Sequence, residues 1–409
     1  MLIRKYSART GYKQLNESVL IGGIKVSKGE SNSVFVPEKV FKSLPAEIVY
    51  HLRWLAQKYN LGQDIFLCGH PGPLRRQLVM TFANLCRLEV EYISCSRDTT
   101  ESDLKQRREI IGKSVFFHDQ PPIRAVLQGR ILVLDGIEYT ERNVLPTLNN
   151  LLENREMSLE DGRFITSSST LELISKSRSS SPLSEESRLL PAHPNFRVIA
   201  LGRSVPPYGG QPMDPPLRSR LQSHFVDELQ SETLLDIFAE DIMQVRDAGK
   251  VQKILSFYES LRTIRNNILF SPTESNSSSY SSLSTLLLPI FSIDAFGHCI
   301  RLMKDHSDMP PCVAVERCVP ATTWMSSGLQ SRTKTAIEEA FKVLRSGNPQ
   351  QIYFKQVANK SPPTLKLLHN QAVALSQITM DFNAGKHVCI LGPKVSHNIS
   401  EWYHSFSMK

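Results

Sequence analysis

Apolar strands and helical segments alternate between residues 46 and 230, and this order constrains the fold more than any other feature of the sequence. The spacing of apolar residues predicts helices at 46–59, Leu74–Arg87, Ile123–Leu127 and Asn143–Glu153. The predicted strands are Asp64–Cys68, Val90–Ser94, Ile131–Leu134 and Phe196–Ala200. Strands that alternate with helices form a parallel sheet with helices on both faces, so the predicted fold class is α/β.

Two further elements are predicted inside this alternation. Asp98 is a suitable N-cap residue, and it predicts a helix from about Thr99 to Ile110. The segments Glu156–Leu159 and Arg163–Ile165 flank Asp161-Gly162, a dipeptide typical of a tight turn, and this pattern predicts a β-hairpin.

Four parts are predicted along the chain. Residues 1–45 are a basic segment with a small β-rich lead-in, 46–230 the α/β core, 231–345 a helical unit, and 346–409 the start of a second, incomplete module. A serine-rich stretch near 271–284 is expected to be an insertion in the helical unit.

An internal repeat supports the fourth part. Gly62–Gly69 aligns with Gly385–Gly392 with both glycines in register, and a helical stretch precedes each copy. Only 17 residues follow Gly392, which is too few for another α/β sheet. We therefore expect a chain that stops inside its second module.

Positive charge is concentrated at the ends of the chain, whose net charge is +8. Residues 1–60 carry ten Lys and Arg against four Asp and Glu, residues 350–409 carry six against two, and the middle is slightly acidic. A nucleic-acid-binding enzyme concentrates positive charge on its folded domain, so this distribution argues against that class. The basic, acid-poor first sixteen residues fit a mitochondrial presequence, and an ordinary basic terminus fits them equally well.

Simple counts argue against three structural classes. The seven cysteines include no CxxC pair, which argues against a disulfide scaffold and against a zinc site. The longest apolar stretch, Leu286–Phe296, is shorter than the roughly 20 residues that cross a bilayer, so no transmembrane segment is expected.

The glycine loop after the first core strand is the main candidate for binding chemistry. A strand, a glycine loop and a helix together present backbone N–H groups to phosphate. The loop reads Gly69-His70-Pro71-Gly72-Pro73-Leu74-Arg75-Arg76, against the P-loop pattern GxxxxGK[ST]. Leu74 replaces a glycine, Arg75 the phosphate-binding lysine, and Arg76 the hydroxyl residue that contacts Mg²⁺. The alternative is a Gly-Pro turn with a purely structural role.

The apolar strand that ends at Asp135 resembles a Walker B strand. Its aspartate would hold Mg²⁺ through a water molecule, and the next residue is usually a glutamate that orients the attacking water. Here the next residue is Gly136, so the usual hydrolytic arrangement is incomplete, and Glu138, the nearest acid, is the candidate catalytic residue in its place. Alternatively, Asp135 only caps the end of a strand.

A third candidate is the arginine-containing segment Pro215–Arg220. Arginines in this position can reach the γ-phosphate bound by a neighbouring subunit and stabilise negative charge in the transition state. An exposed helical arginine in a salt bridge is the alternative interpretation.

Several longer runs resemble the AAA+ ATPases of the dynein-related, MoxR-like branch. They are Ser96–Glu101, Leu104–Glu109, Asn143–Pro146, Asn149–Met157, Leu159–Phe164, Phe196–Gly202 and Asp214–Arg220. Within that branch, they are most similar to the first AAA+ module of the mitochondrial von Willebrand factor A domain-containing family. The resemblance covers about residues 48–225.

The resemblance implies a P-loop NTPase fold with a parallel five-stranded αβα core at 46–230, followed by a helical lid at 231–345. It also implies a ring-like assembly with other AAA+ modules, ATP with Mg²⁺ as cofactors, and a place in the mitochondrial matrix. Residues 346–409 would then begin a second AAA+ module. Nucleic acid is not among the implied partners.

Site residues carried over from the family occupy matching positions of this chain. Gly69 to Arg76 would be the P-loop, Asp135 the Walker B aspartate with Mg²⁺ held through water, and Arg220 the arginine finger. Gly202 lies near the sensor-one position, where the family prefers a polar residue.

Three functional hypotheses follow. The leading one is an ATP-binding AAA+ module with the family's ATP hydrolysis activity but poor turnover in this chain. The second is a catalytically degenerate module that acts in assembly or protein interaction. The third is nucleic-acid binding through the basic ends, which would weaken steeply with salt.

Overall fold

The computed structural model describes residues 12–14, 17–30, 34–38, 40–177, 188–205, 208–270, 290–319, 338–342, 344 and 369–385. Residues 1–11, the serine-rich stretch near 271–284 and the chain after residue 385 lie outside these ranges. The presequence, the insertion and the incomplete second module therefore stay predictions.

The secondary structure is numbered here in chain order. The strands are β1 Lys13–Gln14, β2 Ser18–Ile21, β3 Ile24–Ser27, β4 Ile65–Gly69, β5 Val90–Ser94, β6 Gln106–Ile111, β7 Ser114–Asp119, β8 Ile131–Asp135, β9 Met157–Ser158, β10 Phe164–Ser167, β11 Leu189–Ala192, β12 Arg197–Arg203 and β13 Gln222–Val226. The helices are α1 Ala46–Asn60, α2 Leu74–Cys86, α3 Glu101–Leu104, α4 Pro121–Gln128, α5 Asn149–Glu153, α6 Ser168–Ser177, α7 Pro215–Arg220, α8 Ser231–Ile237, α9 Ala239–Ile242, α10 Ala248–Phe270, α11 Ile293–Asp305, α12 Pro311–Cys318 and α13 His369–Asn383.

The central sheet has five parallel strands in the order β13-β4-β12-β8-β5. Its strands are nearly continuous apolar runs because helices cover both faces. Successive side chains point to opposite faces, so Leu67 packs with α1 and α2, whereas Phe66 packs with α4 and α5. The predicted α/β class and the parallel five-stranded αβα core are confirmed.

The helix predicted from Thr99 to Ile110 is wrong in its second half. A capping box between Thr100 and Asp103 begins α3, which ends at Leu104, and β6 and β7 then form an antiparallel hairpin. The β-branched Ile110 and Ile111 favour a strand, and Gly112 has φ +66°, which suits the turn that follows. The second hairpin, β9 with β10, forms as predicted.

Helices α8 to α12 follow the sheet and share its larger hydrophobic core. Phe257 of α10, Phe296 of α11 and Val313 of α12 are buried in the same cluster as Leu52 of α1 and Leu78 of α2. This shared core fixes the helical part against the P-loop side of the sheet. Among the described residues, no helix has the length and hydropathy that crossing a membrane requires.

The helix α13 joins the helical part rather than the central sheet. Its Asp381 forms an ion pair with Arg317 of α12. The carbonyl oxygen of Ala384, just after α13, lies 3.2 Å from Nδ1 of His298 on α11. The residues that precede the second copy of the repeat therefore pack on the helical part.

Candidate functional site

The loop between β4 and α2 contains two glycines that its path requires. A Cβ atom on Gly69 would lie 2.3 Å from the carbonyl oxygen of Val226, on the neighbouring strand β13. Gly72 has φ +141°, a conformation that L side chains rarely adopt. The loop can therefore pass close to the sheet edge and enter α2 at Leu74. The first backbone N–H groups of a helix have no intrahelical acceptors and are suited to bind an anion.

Arg75 occupies the lysine position of the motif, and its side chain is folded into the loop. The residue is only 7% exposed, and its Nη1 donates to the carbonyl oxygen of His70 at 2.5 Å. Burial lowers the pKa of the guanidinium, and the nearby carboxylates of Glu138 and Asp135 oppose that shift. Within the described part of the chain, its buried Nε has no hydrogen-bond partner. Phosphate oxygens are suitable acceptors for such donors.

His70 connects the loop to two other segments. Its Nδ1 lies 2.7 Å from the hydroxyl oxygen of Tyr208, and its Nε2 lies 3.2 Å from Oδ1 of Asp227. Arg262 of α10 donates to the other oxygen of Asp227 at 3.2 Å. Burial raises the pKa of Asp227, but the hydrogen bonds and charges of His70 and Arg262 outweigh burial and lower it overall. These contacts join the P-loop, the end of β13 and the helical part.

Asp135 lies at the end of β8, where the Walker B pattern predicts it. Its Oδ2 accepts a hydrogen bond from the hydroxyl of Tyr92, on the neighbouring strand β5, at 2.5 Å. Nη1 of Arg76 donates to the same hydroxyl at 3.3 Å. Burial and the hydrogen bond to Asp135 raise the pKa of Tyr92 to about 12, so its hydroxyl stays protonated at neutral pH. Sequence analysis did not identify Tyr92, because no motif marks it.

Glu138 lies on a single 3₁₀ turn after β8, and it is paired with a cation from β12. The residue is 4% exposed, and one of its oxygens lies 3.2 Å from Nε of Arg203. A Cβ atom on Gly202 would lie 3.0 Å from Phe66 and 3.2 Å from the second oxygen of Glu138, so the sensor-one position has little room for a larger residue. Sequence analysis also missed Arg203, the residue that follows Gly202 at the strand end.

Arg220, the predicted arginine finger, lies at the end of α7 and forms local contacts. Its Nε donates to Glu153 of α5 at 3.0 Å, and its Nη1 donates to the carbonyl oxygen of Pro216 at 2.6 Å. The structure therefore brings the P-loop, Asp135 and Glu138 to one edge of the sheet and places Arg220 in a salt bridge with Glu153. Its role in a neighbouring subunit stays a prediction.

Besides a cavity of about 310 Å³ lined by Arg76, Gln77 and Tyr92, two others formed by described residues adjoin the site. The first, called the lid cleft, lies between the P-loop residues 70–75, the chain at 226–229 and the helical residues 290–293, and its volume is about 40 Å³. The second, called the larger cavity, has a volume of about 470 Å³, and Glu138 and Arg203 are among the residues that line it. Sites for small molecules usually measure about 300–1,000 Å³. The lid cleft must therefore open before it can hold a nucleotide.

The sequence profile of the AAA domain, dynein-related subfamily, matches residues 64–221. This span includes the P-loop, Asp135, Glu138 and Arg220. The chain contains an AAA domain of the dynein-related subfamily. The AAA family is one of nucleotide-binding ATPases, and the predicted P-loop NTPase fold is confirmed.

Curated relatives extend the similarity beyond this AAA domain. The chain is 40% identical over 335 residues to mouse von Willebrand factor A domain-containing protein 8. The aligned region covers 81% of this chain and 16% of the mouse protein. The chain is also 28% identical over 268 residues to an uncharacterised Staphylococcus saprophyticus protein. This second aligned region covers 64% of this chain and 84% of the bacterial protein. The predicted resemblance to the von Willebrand factor A domain-containing family is confirmed.

A solved crystal structure of a Cytophaga hutchinsonii protein is also similar to this chain. The two share 13% sequence identity with a TM-score of 0.34, over 81% of this chain and 92% of that protein. The fold assignment here rests on the strand order of the sheet and on the match to the AAA domain.

Proposed function

We propose that this chain binds ATP in the lid cleft, with the phosphates on the loop Gly69–Arg76, and hydrolyses it only slowly. The observation that carries this proposal is the position of the loop. It lies at the end of a central parallel strand and contains Gly69 and Gly72, the two glycines that its path requires. Arg75, at the lysine position, folds into the loop and donates to the carbonyl oxygen of His70. The helical part covers this loop, as a lid would.

Slow hydrolysis is proposed because the groups that activate water are altered. Gly136 occupies the position that usually carries the glutamate, and its φ of +82° suits glycine. Glu138, the nearest acid, is held in an ion pair with Arg203. One oxygen of its carboxylate therefore contacts Arg203 rather than a water molecule beside the γ-phosphate.

The second candidate is a module that acts in ring assembly without binding nucleotide. The small volume of the lid cleft favours it, because a nucleotide needs several times more space. In either case the proposed partners are other AAA+ modules. Arg220 would then exchange Glu153 for a phosphate bound by a neighbouring module.

An equilibrium titration of the purified chain with a fluorescent ATP analogue tests the proposal. We expect saturable binding with a Kd in roughly the micromolar range, displaced by unlabelled ATP. A phosphate-release assay should show turnover below about 1 s⁻¹, the low end of typical enzyme rates. A folded sample that binds no nucleotide would contradict the proposal and support the assembly candidate.

A further inference from the structure

The residues at the expected magnesium position do not fit the ion. In the family's usual arrangement, a hydroxyl from the loop and a carboxylate from the Walker B strand orient Mg²⁺. Here the hydroxyl position carries Arg76, a cation. The carboxylate of Asp135 already accepts the hydroxyl hydrogen of Tyr92 at 2.5 Å.

Arg76 is held on the metal side of the loop by its contacts. Its guanidinium donates to Tyr92, and the carboxylates of Asp135 and Asp294 attract it. Asp294 belongs to α11, and it also accepts a hydrogen bond from Gln77 at 3.0 Å. These contacts hold the guanidinium of Arg76 beside Asp135, next to the lid cleft rather than inside it, where the family's usual arrangement has the metal ion.

The acids on the opposite wall of the lid cleft are already balanced by arginines. Asp227 pairs with Arg262, and Glu228 pairs with Arg265. The charges of that wall are locally neutralised, so the candidate cations for the phosphates are those of the loop: Arg75, which lines the cleft, and Arg76, which lies beside Asp135. An arginine is protonated at any physiological pH, so its charge does not depend on metal supply.

We propose that this site binds nucleoside triphosphates without Mg²⁺, with Arg75 and Arg76 supplying the positive charge that the metal ion usually provides. This inference rests on the proposed ATP-binding function and narrows its ligand to the metal-free nucleotide. Such a site holds a nucleotide and turns it over only slowly, because two fixed guanidinium groups do not reproduce the water-organising shell of a metal ion.

Calorimetric titration of the chain with ATP, once in excess MgCl₂ and once in EDTA, tests this inference. The expected Kd values agree within about threefold. A Kd at least about tenfold weaker in EDTA would overturn the inference while leaving the ATP-binding proposal intact. An absence of binding in both buffers would refute the ATP-binding proposal and this inference with it.

The variant Arg76→Thr restores the hydroxyl of the P-loop pattern and removes the proposed cation. We expect its affinity in EDTA to fall by about tenfold or more, because a charge-assisted phosphate contact is lost. The matched control, Arg142→Thr, changes an exposed arginine at the larger cavity and should keep the original affinity. An Arg76→Thr chain that binds ATP normally in EDTA would show that Arg76 does not replace the metal.

Discussion

The lid cleft and the larger cavity lie on the same edge of the central sheet, yet they differ in both contents and volume. The lid cleft contains the P-loop and is nearly closed at about 40 Å³. The larger cavity contains Glu138 and Arg203 and is more than ten times as large, at about 470 Å³. Loop residues 70–75 therefore line a nearly closed cleft, whereas Arg76, the last residue of the loop, lines a separate cavity of about 310 Å³ with Gln77 and Tyr92. On the ATP-binding proposal, the helical part must therefore move before a nucleotide can contact the loop residues that line the lid cleft.

The contacts across the two cavities explain why one is closed. At the lid cleft, Arg262 of α10 reaches Asp227, which in turn contacts His70 of the loop. At the larger cavity, Glu138 pairs with Arg203, and both residues belong to the α/β core rather than to the helical part. Paired charges that join a lid to a loop hold it closed, and a nucleotide must compete with them.

The largest expected effect is on the affinity for ATP, and it shows whether the nucleotide binds in the lid cleft or in the larger cavity. Replacing Arg75 with alanine should weaken ATP binding by about a hundredfold, because two or more charge-assisted hydrogen bonds to phosphate are lost. The matched control, Arg142→Ala at the larger cavity, should change the Kd by less than about twofold. Circular dichroism checks that both variants fold. Equal losses in the two variants would contradict the assignment of the nucleotide to the lid cleft.

The second prediction concerns the stability in acid of β13, whose residue His224 lines the larger cavity and whose last residue, Val226, lines the lid cleft. His224 of β13 lines the larger cavity and lies 2.8 Å from His51 of α1. Burial, and then the charge of His224, lower the pKa of His51 from 6.5 to about 4, although Asp227 opposes the shift. Between these values the unfolded chain binds more protons than the folded one. Stability is therefore complete above pH 6.5 and falls by up to about 3 kcal/mol as the pH drops through 4.

Urea unfolding between pH 7 and pH 4 measures this loss. The variant His51→Gln keeps a hydrogen-bonding side chain without a group that titrates in this range, so its stability should vary less with pH. The matched control, His118→Gln on the exposed β6–β7 hairpin, should keep the pH dependence of the original chain. If the free energy of unfolding of His51→Gln fell with pH as much as that of the original chain, another group would be responsible for the acid sensitivity.

The third prediction tests whether Glu138 acts only in its ion pair at the larger cavity or also takes part in ATP hydrolysis. The change Glu138→Gln leaves Arg203 without its carboxylate partner, so the free energy of unfolding should fall by about 1–2 kcal/mol. ATP affinity should stay within about twofold, and residual turnover should hardly change. Thermal unfolding and phosphate release measure the two effects. A complete loss of turnover with unchanged stability would instead identify Glu138 as the hydrolytic base.

The smallest expected effect comes from the Tyr92 hydroxyl. The change Tyr92→Phe removes one hydrogen bond to Asp135 and should cost about 1 kcal/mol of stability. It also leaves the Asp135 carboxylate available to a metal ion, so added Mg²⁺ should strengthen ATP binding several-fold more than in the original chain. Paired titrations in MgCl₂ and EDTA measure that difference. Identical magnesium responses would show that Tyr92 does not restrict access to Asp135.

Much of the fold was predictable because its signals are local. Buried parallel strands such as β4 and β8 are continuous apolar runs, and the helices between them repeat apolar residues at helical spacing. The prediction of a helix over Thr99–Ile110 was wrong where the residues have no strong preference for either helix or strand. Charged residues at 107–109 suit a helix or an exposed strand, and the hairpin was decided by Ile110, Ile111 and the turn after them.

The candidate site was predictable only where it is a linear motif. The glycine loop and Asp135 lie at strand ends that the sequence marks. The contact of Tyr92 with Asp135 depends on how β5 and β8 are aligned, and the Glu138–Arg203 pair joins residues far apart in the chain. Such partners become neighbours only through sheet register, so no spacing along the sequence identifies them.

Hydrogen–deuterium exchange of the chain with and without ATP tests the central claim most directly. The account predicts that ATP slows exchange at the loop residues 70–75, at 226–229 and at 290–293, which form the lid cleft. Residues 203–205 and 211–214, which line the larger cavity, should exchange at the same rate in both samples. Protection confined to the larger cavity would contradict the claim that the altered P-loop still binds the nucleotide.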